Sequence, residues 1–238
     1  MVNFFKSIVN AFAEFSFLPL PYYEDDGERY KYAFVPIMGL IITGISYLRF
    51  ALCGYRHLND AAVGIGVILF AAIISGGRHI LGFVDYIDSR PTYKFRFKSW
   101  KDSRDRGVLR IVLVAALWLA SMLITYDYLF SLLLAGFVFS RIYMGLLSSF
   151  FNEASNQSKV SIILLVLEFI IVAFHVAREF ESLAICPLVI SALFFVIYIN
   201  RFRRSTAEAL PLLEDDFVVS AETAWIFSVA MVSLVRSL

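Results

Sequence analysis

The sequence predicts an all-α protein, a polytopic membrane bundle of about seven transmembrane helices with an amphipathic interfacial helix at the N-terminus. Three observations carry this. Of the 238 residues 60% are apolar and 24 are Phe, with a mean hydropathy of +0.75, outside the balance of a water-soluble domain. Apolar runs of about twenty residues, the length that crosses a hydrocarbon core of roughly 30 Å, recur with short polar breaks between them. Basic residues concentrate on alternate breaks, as they do when one set of loops is retained in the cytoplasm.

Residues 1–18 interleave Phe4, Phe5, Ile8, Phe12, Phe15 and Phe17 with Lys6, Asn10 and Glu14, and Pro19 and Pro21 end the pattern, so this segment reads as a helix lying in the interface. Ala11-Phe12-Ala13 resembles a signal cleavage site, but too few apolar residues separate it from Lys6, and the segment is read as retained. Spans follow near 33–53, 61–88, 107–125, 127–150, 159–177, 184–200 and 216–236, all within one integral membrane domain, 1–238. Arg90, Lys94, Arg96, Lys98, Lys101, Arg104 and Arg106 crowd the loop after the second span. Arg201, Arg203 and Arg204 follow the sixth, Lys159 precedes the fifth, and Arg29 and Lys31 precede the first. These fall on one side, which predicts a multi-pass membrane protein with a cytoplasmic N-terminus.

Cys53 and Cys186 lie near helix ends in apolar surroundings without a second thiol or a His at ligand spacing. A thiolate metal site is excluded, and buried, inert thiols are expected, although the topology puts both on the far side and leaves their pairing open. No nucleic acid partner is expected, and any chemistry must sit within the bundle or at its mouth.

The segment 76–110 is the most informative. Asp85 and Asp88, three apart on a helix, project from one face and can reach a common ion. With Asp102 they surround a strongly basic loop at the end of an apolar run. Carboxylates hold a hard cation and bases hold phosphates, so this is a candidate site where a divalent metal meets a phosphate ester. A second acidic group, Glu214, Asp215 and Asp216, opens the last span, and Glu222 lies about two turns further in, where its charge requires a wet cavity or a partner such as Arg141. Glu168 and His175 in the fifth span read either as paired structural groups or as part of an ion or proton path.

On these residues the chain resembles the cobalamin synthase family, the adenosylcobinamide-GDP ribazoletransferases. Phe15-Ser16-Phe17-Leu18-Pro19-Leu20-Pro21 and Tyr32 to Leu40 are similar to that family's opening helix, Leu-Pro turn and first span. Gly76, Gly77, His79, Gly82, Asp85 and Asp88 fall on its Gly-Gly-x-His-x-Asp-Gly-x-x-Asp-x-x-Asp-Gly signature. Asp102-Ser103-Arg104, Ser140-Arg141, and Asp215 with Glu222 match three further segments. The chain departs from the pattern at Leu81, which stands for the first Asp of the signature, and at Ser89, Glu214 and Val218, which stand for glycines. Asp105 or Glu214 is the spatial substitute for the missing carboxylate to be tested.

The resemblance implies a Mg²⁺-dependent transferase of late cobamide biosynthesis. It would join adenosylcobinamide-GDP to α-ribazole or its 5′-phosphate with release of GMP. Asp85, Asp88 and Asp102 would act in catalysis and, with Asp215, hold Mg²⁺; His79, Ser103, Arg104, Arg141 and Glu222 would bind substrate. The implied partners are the corrinoid-GDP and ribazole substrates and the lipid bilayer, with contact to other cobamide-assembly enzymes and self-association left open. The alternatives are a relative turned to another nucleotide-activated substrate or to a binding or scaffold role, and a small transporter using Glu168 and His175.

Overall fold

The computed structural model describes residues 2–24, 28–53, 60–89, 103–125, 129–151, 159–205 and 209–237, and among them every regular element is helical. The helices are α1 (Val2–Phe15), α2 (Val35–Cys53), α3 (Asp60–Ile74), α4 (Arg78–Ser89), α5 (Ser103–Ile124), α6 (Phe130–Phe151), α7 (Lys159–Phe180), α8 (Ile185–Arg203) and α9 (Leu210–Ser237). A 3₁₀ turn, Glu28–Phe34, leads into α2, and a second, Glu181–Ala184, joins α7 to α8. Pro36, Pro187 and Pro211 each lie in the first turn of a helix, where a missing N–H breaks no backbone bond.

The bundle is built around α6 and α9. Helix α6 is apolar on all sides and buried from Phe130 to Ser148 except at Ser131, the pattern of a helix enclosed by others. On one flank α2 crosses it at Gly39, where a Cβ would come within 2.3 Å of the Phe137 carbonyl oxygen. A residue without a side chain lets the two backbones meet. On another flank α9 runs antiparallel to α6 and also packs on α4, α5 and α8, with Trp225 Nε1 donating to the Leu132 carbonyl at 2.8 Å.

By length and apolarity four helical stretches can cross a membrane, Tyr30–Leu48, Phe130–Phe151, Lys159–Arg203 and Leu210–Arg236, or five if the bent pair α3 and α4 makes one crossing. Seven were expected. Two features of the chain explain most of the difference. The 45-residue stretch Lys159–Arg203 is interrupted at Glu181, whose φ is +50°, a backbone setting that ends a right-handed helix. Both arms return to one ring: Tyr143 lies 5.4 Å from Phe169 of α7 and 4.8 Å from Phe195 of α8, whereas in a straight helix those two residues would be about 39 Å apart. Helices α7 and α8 therefore form a hairpin on α6, with arms of 22 and 19 residues.

The second feature corrects the expected unbroken span 61–88. It is two helices bent by 82°, because Gly76 and Gly77 take φ values of +61° and +70°. Their N–H groups close the end of α3 by donating to the Ile73 and Ala72 carbonyls at 2.9 and 2.8 Å, a glycine-terminated helix end. The chain then restarts as α4 in a new direction.

The N-terminal helix is present as expected, but its inner face is mixed: Ser7, Asn10, Ala11 and Phe15 are buried while Phe4 and Phe5 are exposed. Asn10 explains the setting. Its side-chain amide donates to the Tyr23 carbonyl at 2.7 Å and its oxygen accepts from the Tyr23 N–H at 2.8 Å, which clamps the returning chain against α1. Beyond it, the Phe17 N–H donates to the Ile74 carbonyl at 3.2 Å, seating the end of α1 on the α3–α4 bend.

Cys186, expected to be buried, is exposed on the first turn of α8. The side chain of Cys53 is outside the described residues.

Candidate active site

Three consecutive acids at the start of α9 reach three different neighbours, because successive side chains on a helix are rotated by about 100°. Glu214 accepts from Ser148 of α6 at 2.5 Å and from the Tyr32 hydroxyl at 3.4 Å. Asp215 points to α4. Asp216 accepts from Tyr198 of α8 at 2.5 Å and lies 3.5 Å from Arg201. All three are buried, so each carboxylate is held by a hydrogen-bond donor rather than by water, as burial of charge requires.

Asp215 is the centre of the arrangement. His79 Nδ1 lies 2.6 Å from its Oδ1, and three residues along α4 Gly82 faces its Oδ2 so closely that a Cβ there would sit 2.0 Å away. His79 and Gly82 share one face of α4, and together they seat the carboxylate. Fixing Nδ1 on Asp215 orients the imidazole and leaves Nε2 as the ring nitrogen for a ligand. Arg78, at the first position of α4, comes within 3.8 Å of the same Oδ1 and donates to the Glu14 carbonyl at 2.7 Å. Glu14 Oε1 lies 3.3 Å from Arg78 and its Oε2 lies 2.7 Å from Lys31 Nζ. The end of α1 thus joins the charged cluster through Glu14.

Two turns into the bundle Arg141 of α6 is bonded to Glu222 of α9 and donates to the Phe137 carbonyl at 2.9 Å, while Ser140 donates to Glu222 at 3.1 Å. The pair is buried, and removal of either partner would strand a charge. Arg141 Nε is buried without a hydrogen-bond partner among the described residues. His79, Arg141, Glu222 and Ser75 line one cavity of about 60 Å³, whose remaining wall is apolar residues of α3, α4, α5 and α9, including Ile68, Phe83, Val114 and Trp118. An oriented imidazole, a carboxylate and a guanidinium on one mostly apolar cavity can bind a substrate end, take a proton from it and face developing negative charge.

Residues 7–209 match the family model described as Cobalamin-5-phosphate synthase. The chain belongs to the cobalamin-5-phosphate synthase family. The match stops one residue before α9, so the acids of α9 lie outside it. Among similar curated proteins is an adenosylcobinamide-GDP ribazoletransferase of Clostridium botulinum (strain Eklund 17B / Type B), 28% identical over 123 residues, 50% of this chain and 48% of that one. Another, of Alkaliphilus oremlandii, is 29% identical over 126 residues, 52% and 51% of the two chains. The chain spans about half the length of the curated relatives it matches. No solved structure matches it.

Within this cobalamin-5-phosphate synthase member the structure brings His79, Asp215, Arg141 and Glu222 to one end of the bundle and its adjoining cavity. Asp85 is exposed on α4, one turn beyond Gly82. Asp88, Ser103 and Arg104 lie on α4 and α5 with side chains outside the described set, and Asp102 is itself outside the described residues. Glu168 and His175 are on α7, away from the cluster: His175 is exposed, and Glu168 Oε2 is buried without a partner among the described residues. Among the described residues no group of three His, Cys, Asp or Glu side chains converges as a metal site would. Asp215, expected among the metal holders, is engaged by His79 at Oδ1 and packed on Gly82 at Oδ2.

Sequence reasoning missed Glu14, Lys31, Arg78 as a partner of Asp215, Ser148 and Trp118. Glu14 carried a signal, being an acid in an amphipathic helix with no base at helical spacing. Ser148 and Trp118 carried none, because their roles depend on which face of an all-apolar helix meets α9 or the cavity.

Proposed function

We propose that the protein is a membrane-embedded transferase of cobamide assembly that joins adenosylcobinamide-GDP to α-ribazole or its 5′-phosphate and releases GMP. The observation that carries the reading is the His79–Asp215 pair set in the wall of a cavity that ends on Arg141 and Glu222, in a chain of this family. A ribose hydroxyl of the ribazole attacks the phosphorus nearer the corrinoid. The new P–O bond forms as the P–O bond to GMP breaks, and GMP leaves with the electron pair. The hydroxyl proton passes to His79 Nε2, a transfer that needs the tautomer in which Nδ1–H faces Asp215. Arg78, part exposed beside the same carboxylate, is placed to face the charge that grows on the departing phosphate.

The resemblance also implies Mg²⁺, which would supply charge neutralisation at the diphosphate. Of the expected holders Asp85, Asp88, Asp102 and Asp215, Asp85 and Asp88 lie on α4 and Asp215 on α9, and Asp102 is outside the described residues, so the mechanism here rests on the protein's own groups. Arg201, Arg203 and Arg204 lie at the cluster end of the bundle beside the start of α9, which supports a site at the cytoplasmic face of a prokaryotic inner membrane.

Leu81 favours a second reading. It is 62% exposed on α4 where the family signature carries an acid, as in a relative turned to another nucleotide-activated substrate. The test is to incubate the protein in nanodiscs with adenosylcobinamide-GDP, α-ribazole and Mg²⁺ and to follow GMP and cobamide by chromatography, with His79→Ala and Asp85→Ala beside the native chain. Metal-dependent product that falls at least about 100-fold in His79→Ala is the expected result. No product, with corrinoid-GDP binding intact, would support the second reading and remove the first.

A further inference from the structure

The cavity beside the cluster has a shape and a polarity that a phosphate or a corrin does not explain. Its volume of about 60 Å³ holds roughly four to six waters, the bulk of one fused bicyclic ring and far less than a corrin. The wall is apolar along α3, α4 and α5, with the indole of Trp118 as its largest face. The polar groups are confined to Arg141, Glu222, His79 and Ser75. The hydroxyl of Ser75 is satisfied by the Ala71 carbonyl at 2.8 Å, and Trp118 Nε1 donates to Thr223 at 2.8 Å. Arg141, 2% exposed, has its Nε buried and without an acceptor among the described residues. A buried donor in that state calls for an acceptor, which a ligand in the cavity can supply.

A sugar or phosphate would lose its hydrogen bonds against this wall. A water cluster would find partners at one end only. The occupant that satisfies both parts is a flat aromatic ring system with one unprotonated ring nitrogen. Its faces lie against Phe83, Val114 and Trp118, and its nitrogen accepts from Arg141.

We propose that this cavity is the subsite for the aromatic base of the incoming ribazole nucleoside, with Arg141 as the donor that sets its orientation. The assignment rests on the transferase reading and adds to it the place and pose of the attacking substrate. With the base held here, the attached ribose emerges toward His79, which lines the same cavity, and the hydroxyl is delivered to the group that takes its proton.

Phe83, Val114 and Val219 also wall a neighbouring groove that includes Phe194 and Phe227, so a lipid acyl chain is the competing occupant. The probe is 5-fluorobenzimidazole, followed by fluorine NMR with the protein in nanodiscs and with empty nanodiscs as the partition control. A saturable bound signal that unlabelled benzimidazole displaces is expected. Ala115→Phe and Ala72→Phe, which place a ring in the cavity from α5 and from α3, should weaken binding at least about tenfold. In the transferase assay both should raise KM for α-ribazole by a similar factor while KM for adenosylcobinamide-GDP stays within about twofold.

No saturable binding to the native chain overturns the proposal, as does equal binding by both filled variants. Quenching of Trp118 by a nitroxide-labelled stearate that benzimidazole does not relieve assigns the cavity to lipid and also overturns it. Turnover with an unchanged α-ribazole KM in the filled variants removes the subsite and leaves the transferase. Saturable base binding without any turnover removes the transferase and leaves the base site.

Discussion

At the residue scale the decisive contacts are those around Asp215. Its carboxylate is packed on Gly82 on one side and bonded to His79 on the other, so the glycine of the signature has a steric role that spacing alone does not reveal. Gly82→Ala should shift α4 from α9 and cost about 1–3 kcal/mol, the usual cost of overpacking, seen as a lower unfolding midpoint in detergent. Deeper in, Arg141 and Glu222 were legible in the sequence as a buried pair, and the structure joins them. Arg141→Met or Glu222→Met alone should destabilise by about 3–5 kcal/mol, because each leaves an uncompensated charge, and the double variant should recover most of that loss. A double-mutant cycle of unfolding midpoints checks the sign: additive losses would mean that the two side chains do not depend on each other.

At the element scale most helices were visible as apolar runs, and the places where the reading fell short share a cause. Gly76 and Gly77 fall inside the single expected span 61–88, yet they form a turn of 82°. Hydropathy averaged over a span does not resolve the bend, because the apolar runs on either side of it, 67–74 and 80–84, outweigh Ser75, Arg78 and His79 between them. The mixed inner face of α1 was missed for a related reason, since Asn10 is polar by type but has both ends of its amide satisfied by Tyr23. The acids of α9 were read as one cluster, whereas helical rotation distributes them over α6, α4 and α8. Gly76→Val and Gly77→Val should each cost about 1–2 kcal/mol for the left-handed setting. Spin labels at Ile68 and Leu81 should report a changed distance if α3 and α4 straighten. The same docking predicts that Glu14→Ala, which removes the carboxylate shared by Arg78 and Lys31, increases amide hydrogen exchange in α1 while exchange in α6 is unchanged.

At the scale of the whole molecule the charged cluster occupies one end of the bundle, and Cys186, at the start of α8, marks the other. If the basic loops are cytoplasmic, a membrane-impermeant maleimide added to intact cells should label Cys186 in a Cys53→Ser background, and labelling only after the membrane is opened would invert the topology. The fan of acids on α9 has a further consequence for how such a bundle finds one arrangement. Lipid and apolar neighbours constrain the azimuth of an apolar helix weakly, since any face can pack on hydrocarbon. Turning α9 by a single residue would take Glu214 from Ser148, Asp215 from His79 and Asp216 from Tyr198 together; two of the acids would then face donors placed for a side chain of another length or height, and the third would face a wall that holds none of these donors. The three acids therefore index the rotation of α9, and the aim of His79 is inherited from that setting.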